Sequence, residues 1–108
     1  MDRTAPLSVT AAESVLMEAL WRFGPLSPSD LIAAIKAQKP WADPTIKTLI
    51  FRLAQRGAIK SERRDKRLCY VPQLDRDAYL KQQVDELVGR LFDGDRQKLI
   101  AYLNNSEA

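Results

Sequence analysis

A chain of 108 residues, 45% of them apolar, suits one compact domain with a short appended element and is too apolar for global disorder. It has no histidine and one cysteine, Cys69, which removes the commonest general base, an internal disulfide framework and a multi-cysteine zinc site. The net charge of +3 is unevenly spread: residues 1–72 hold 12 Lys/Arg against 7 Asp/Glu, and residues 73–108 hold 5 against 7.

That asymmetry directs one end of the molecule at a polyanion, although an ordinary charged surface gives the same balance. No enzyme activity, cofactor or metal is expected from these residues. The longest apolar runs fall well short of the roughly 20 residues a bilayer span needs. The opening MDRTAPLSVT has no apolar signal core, so a cytoplasmic protein with no membrane partner is expected.

In chain order, Thr10-Ala11-Ala12-Glu13 reads as a capping box, and Val15, Leu16, Ala19 and Leu20 then recur at helical spacing. This first helix ends near Phe23-Gly24-Pro25. Ser27-Pro28 starts a second, with Leu31, Ile32 and Ile35 on its buried side, and Lys39-Pro40 stops it. A third start places Asp43 as cap and Pro44 at the first helical position. Ile46, Leu49, Ile50 and Leu53 line one face of this helix until Gly57 supplies a left-handed turn. Its other face carries Thr45, Lys47, Thr48, Arg52 and Arg56, and residues 44–61 contain no carboxylate. A helix of that kind suits a DNA major groove. Phe51 projects off the apolar stripe; packing against the next element is the favoured expectation, contact with a thymine methyl the other. Trp21, Phe23 and Trp41 are expected as core or helix-junction anchors.

Alternation through residues 58–63 and 67–71 around Arg64-Asp65-Lys66 describes a β-hairpin. A two-stranded ribbon is barely stable alone, so its Ile59 and Leu68 or Tyr70 side should pack on the helices. Arg63, Arg64, Lys66 and Arg67 then form a cationic tip, a probe for phosphates or a minor groove, or else a solvated turn. Beyond Pro72, Asp75 caps a long helix striped with Leu80, Val84, Leu87, Val88 and Leu91. Gly94 breaks it, and Asp95 caps a last helix bearing Leu99, Ile100 and Leu103. Three helices and a hairpin already close a unit. These extra stripes need another surface, either a second copy of the chain or the same domain.

Three helices, a basic hairpin and an amphipathic tail follow the winged-helix plan. LSVTAAESVLMEALWRFGPLSPSDLIAAI, WADPTIKTLIFRLAQRGAIKSERRDKRLCYVP and DRDAYLKQQVDELVGRLFDGDRQKLIAYL together resemble the penicillinase-repressor family (the BlaI/MecI/CopY repressors) over nearly the whole chain. The middle segment carries that family's T-[VI]-x-T-L-x-x-R-L-x-x-[KR]-G pattern. The resemblance implies a mainly α fold with a small β-hairpin: a winged helix-turn-helix over residues 1–73 and a helical dimerisation region over 74–108. It also implies a homodimeric transcriptional repressor on a dyad-symmetric, double-stranded operator. Thr45, Lys47, Thr48 and Arg52 match the recognition-helix contacts, and residues 63–67 match the wing.

Several positions depart from the family pattern. Ala42-Asp43-Pro44 stands where Ser-Pro-Lys is usual, which removes a lysine from the DNA side. Cys69 alone does not provide the copper-responsive branch's C-terminal cysteine cluster. Ala101-Tyr102-Leu103 replaces the Asn-Phe bond cleaved in the antibiotic-responsive branch, so no upstream sensor or protease is named by these residues. The family's final helix is expected to be shortened or absent. A ligand-sensing winged-helix regulator and a winged-helix protein-interaction module remain the alternative functions.

Overall fold

Thr10 and Glu13 cap the first helix reciprocally. The Glu13 amide donates to Thr10 Oγ1 and the Thr10 amide donates to Glu13 Oε1, each at 3.1 Å. From this cap α1 runs over Ala11–Phe23. The computed structural model describes residues 9–106, which form two compact units, one ending at Leu74 and the other beginning at Asp75.

In the first unit α2 spans Pro28–Lys36, and the Ser27 hydroxyl accepts from the Asp30 amide at 3.1 Å. Pro28 loses no hydrogen bond at the helix start, where the amide would be unpaired anyway. α2 ends before the expected Lys39-Pro40 stop. The third helix, α3, spans Asp43–Gln55 and departs from expectation at its start. Its cap residue is Ala42, with no side-chain cap bond, and Asp43 lies inside the first turn. The reason is a competing cation: Lys36 Nζ donates to Asp43 Oδ1 at 2.5 Å. That pair draws the carboxylate away from the helix amides while leaving it near the positive end of the helix. Gly57, just past α3, takes φ +80° and turns the chain toward the hairpin.

The hairpin pairs β1 (Ile59–Arg64) with β2 (Arg67–Pro72) antiparallel, from Ile59 opposite Pro72 to Arg64 opposite Arg67. Asp65 and Lys66 form the two-residue turn, both at positive φ, 52° and 67°. That geometry matches the right-handed twist of the strands. Leu26 adds a bridge to the outer side of β2: Tyr70 N donates to Leu26 O at 2.8 Å, and Leu26 N to Tyr70 O at 3.3 Å. This bridge fastens the ribbon to the helices.

Leu16, Met17, Leu20, Leu31, Ile35, Ile46, Leu53 and Ile59 are the fully buried centre. Tyr70 packs against it and Leu68 stays exposed, so the Tyr70 end of the ribbon face is the one that meets the body. Trp41 also packs on this core. Trp21 is half-buried, and its indole donates to Leu74 O at 2.8 Å. Phe23 corrects the expectation of an anchor: it is exposed, with the Arg22 guanidinium 5.6 Å from its ring centre. At the very end of α1 its side chain has passed the last element that would cover it.

The second unit contains α4 (Arg76–Leu91) and α5 (Arg96–Asn105). Asp75 accepts from the Ala78 amide at 3.0 Å and Asp95 from the Gln97 amide at 2.9 Å, as their cap positions require. Between them Asp93 and Gly94 take positive φ, and the amides of Phe92 and Gly94 both donate to Val88 O. α5 folds back on α4: Arg96 reaches Asp85 at 3.0 Å, and the Phe92 and Tyr102 rings lie 5.9 Å apart. No helix among the described residues is long and apolar enough to cross a membrane. The chain is mainly α with one small β-hairpin, arranged as a winged helix-turn-helix followed by two helices.

Candidate nucleic-acid interface

α3 separates its residues by chemistry. Ile46, Leu49, Ile50 and Leu53 are buried, and Thr45, Lys47, Thr48, Phe51, Arg52 and Gln55 are exposed. Among the described residues no ion pair holds Arg52, so its five-donor guanidinium is available to a ligand. Thr48 Oγ1 donates to Pro44 O at 3.0 Å. Its proton is therefore committed, and the oxygen's lone pairs are what it offers outward, which suits a base amino group better than a phosphate. Asp43 sits at the start of this face with its carboxyl held below the ordinary range, chiefly by the Lys36 hydrogen bond and also by the field of Lys47.

Arg56 is placed differently from the other cations of the stripe. Its guanidinium is hydrogen-bonded and ion-paired to Glu13, whose side chain is 1% exposed. The structure thus joins Arg56 to the α1 cap, whereas no ion pair among the described residues holds Lys47 or Arg52. Phe51 does not pack against the next element as the favoured expectation had it. It is 63% exposed, because its position on α3 lies between the core stripe and the polar face. Its ring walls a shallow apolar cleft of about 290 Å³ with Pro28, Ile32, Ile50, Ala54 and Tyr70, and Lys47 stands at the same cleft.

The wing brings its cations together and holds some of them back. Strand residues directly opposite share a face, so Lys60, Glu62, Arg64 and Arg67 lie on one side, and Arg63 on the other. Arg64 donates twice to Glu62 Oε1, at 2.9 and 3.1 Å, and Lys60 lies 3.4 Å from the same carboxylate. The Arg64 bond is the main reason that the Glu62 carboxyl lies below its ordinary range. Arg63 donates to Lys66 O at 3.3 Å, and among the described residues no ion pair holds Lys66 or Arg67. Two features of this tip oppose stability. Arg64 and Arg67 are like charges in direct register, which is unfavourable. Lys66 occupies a left-handed position where glycine is favoured, a strain of roughly 1–2 kcal/mol. An anion at the tip would relieve the first; the second is the backbone that a two-residue hairpin turn requires. A second cleft, about 320 Å³, opens beside it and is lined by Arg64, Arg67, Ser27 and Cys69, with Asp30 and Asp65 on its walls.

Sequence reading missed Glu62 as a partner of the wing cations and Glu13 as the partner of Arg56. The first was within reach, since residues 60, 62 and 64 share a face of any strand. The second joins positions 43 residues apart and has no local signal. In the second unit, Leu80, Leu91, Ile100 and Leu103 are exposed, Val84, Leu87 and Leu99 half-buried, and Val88 buried.

The sequence profile described as penicillinase repressor matches residues 9–108. The chain belongs to the penicillinase repressor family. It is 21% identical to the penicillinase repressor of Bacillus licheniformis, over 92% of this chain and 78% of that protein. It is 25% identical to the methicillin resistance regulatory protein MecI of Staphylococcus aureus, over 85% of this chain and 75% of that protein. Among solved structures, it is similar to the monomeric form of Bacillus licheniformis BlaI in complex with the blaP half-operator. The TM-score is 0.61 at 23% identity, covering 68% of this chain and 89% of that one. At that identity the likeness establishes the winged-helix fold. Of these relatives, the Bacillus licheniformis protein is described as a repressor and the Staphylococcus aureus protein as a regulatory protein.

Proposed function

We propose that this chain represses transcription as a homodimer on a dyad-symmetric operator, with residues 44–56 in the major groove and residues 63–67 on the backbone or in the minor groove. In this reading residues 1–73 bind DNA and residues 74–108 dimerise. The observation that carries it is the exposed face of α3, free of carboxylates beyond Asp43, on which Arg52 has no ion-pair partner among the described residues. Kept apart from any carboxylate, a guanidinium can address guanine O6 and N7 with two hydrogen bonds. The basic wing supports the same surface, and Lys66 and Arg67 supply positioning contacts to phosphates. The exposed Leu80, Leu91, Ile100 and Leu103 support a second copy as the partner of the tail.

A dimer of this kind sets its two recognition helices about 34–36 Å apart, one turn of duplex. The test is footprinting and titration on the promoter of the chain's own gene. Protection of two symmetric half-sites, with two chains per duplex and affinity falling steeply with salt, is the expected result. Equal affinity for palindromic and scrambled duplexes, or binding that ignores salt, overturns the proposal.

A further inference from the structure

Phe51 is the most exposed large apolar side chain among the described residues, at 63%, and it stands where the polar face of α3 meets the apolar cleft. Lys47 precedes it by one helical turn and Gln55 follows it by one, with Thr48 and Arg52 alongside. Ile50, Ala54 and Tyr70 continue its apolar surface into the cleft beside Lys47.

The chemistry of the major groove leaves few partners for such a ring. The base edges there present hydrogen-bond donors and acceptors, the small C5–H of cytosine, and one bulky apolar group, the thymine 5-methyl. A phenyl ring makes no hydrogen bond, so it discriminates only by covering that methyl and excluding water from it. Lys47 and Arg52, on either side, hold the approaching duplex by charge, and no carboxylate of α3 beyond Asp43 opposes it. We infer that Phe51 is a specificity-determining residue that reads a thymine in each operator half-site through the 5-methyl group. This rests on the proposed operator function and adds a base preference to it.

The test uses the full chain and duplexes that it selects from a randomised pool. In the selected sequence each thymine is replaced singly by deoxyuridine, which removes the methyl and nothing else. A single replacement at the thymine that Phe51 covers is expected to weaken wild-type binding about fourfold. The same replacement leaves Phe51→Ala unchanged, and Phe51→Leu, still apolar, retains part of the discrimination. Deoxyuridine duplexes that bind wild type as well as the thymine duplex overturn the inference. So does a Phe51→Ala protein that loses the same factor. A wild-type chain that selects no duplex at all removes the operator function itself, whereas selective but methyl-blind binding removes only the role of Phe51.

Discussion

Arg56, the cap residue at the end of α3, donates from Nη2 to Oε1 of Glu13 in the first turn of α1. The same carboxylate accepts from the Thr10 amide, so one buried acid ties the helix cap to the end of the proposed recognition helix. Burial alone would push the Glu13 carboxyl up. The Thr10 amide and the Arg56 guanidinium outweigh it, and the carboxyl lies below its ordinary value of 4.5.

Two consequences of that pair are measurable. Arg56→Ala leaves a buried carboxylate without its cation and should cost about 2 kcal/mol in urea unfolding, with Arg56→Lys recovering part. Because the folded carboxyl is depressed, its contribution is complete above the unfolded value near 4.5 and is lost as pH falls through the folded one. Wild type should therefore lose more stability than Glu13→Gln between neutral pH and about pH 3.5. Parallel pH profiles for the two proteins would dismiss the pair as a stabilising element.

Arg52 and Arg56 should separate cleanly in DNA binding. Arg52→Ala is expected to weaken binding to the selected operator by about 1–3 kcal/mol and to relax preference at one base pair. It should leave the unfolding midpoint nearly unchanged, since Arg52 is exposed. Arg56→Ala should show the opposite balance, a lower midpoint with the salt slope of binding intact. Titration of each variant against operator and scrambled duplex decides it. Equal losses on both duplexes for Arg52→Ala would make that residue a phosphate contact.

The parts of the molecule that were legible in the sequence are those whose partners lie within one helical turn. Thr10 with Glu13, Ser27 with Asp30, Asp75 with Ala78 and Asp95 with Gln97 all satisfy helix-end amides locally, and each reads directly from residue type and spacing. The apolar stripes of α1 and α3 were equally clear because a 3.6-residue period marks one face. Asp43 misled because Lys36, on the preceding helix, competes for its carboxylate. Phe23 and Phe51 misled for a related reason: whether an aromatic is covered depends on an element elsewhere in the chain. Of the candidate interface, the cationic residues were visible, and their division into paired and unpaired members was not.

Glu62 offers a direct test of the wing. Its carboxylate holds Arg64 and draws Lys60, so it withholds two cations from an approaching duplex. Glu62→Gln should raise affinity for non-specific duplex and steepen the salt dependence by about one phosphate contact. Arg67→Ala should act in the reverse sense and equally on all sequences. Fluorescence anisotropy across a salt series measures both. A Glu62→Gln slope equal to wild type would mean that Arg64 does not reach the backbone.

Leu91 is 62% exposed at the end of α4, so replacing it leaves the unit's own packing intact. If a second copy covers it, Leu91→Glu removes the same contact twice across a two-fold axis. The loss is then about 3 kcal/mol or more, roughly 100-fold in the dimer dissociation constant. Leu87→Glu should act likewise, with some added destabilisation because Leu87 is half-buried within its own chain. Sedimentation at micromolar concentration should give a dimer for wild type and a monomer for Leu91→Glu, with unchanged helical circular dichroism. Operator affinity should fall with the dimer, because a monomer engages one half-site at a time. A Leu91→Glu chain that keeps the dimer mass would place the interface elsewhere and leave the exposed leucines of α4 without that explanation.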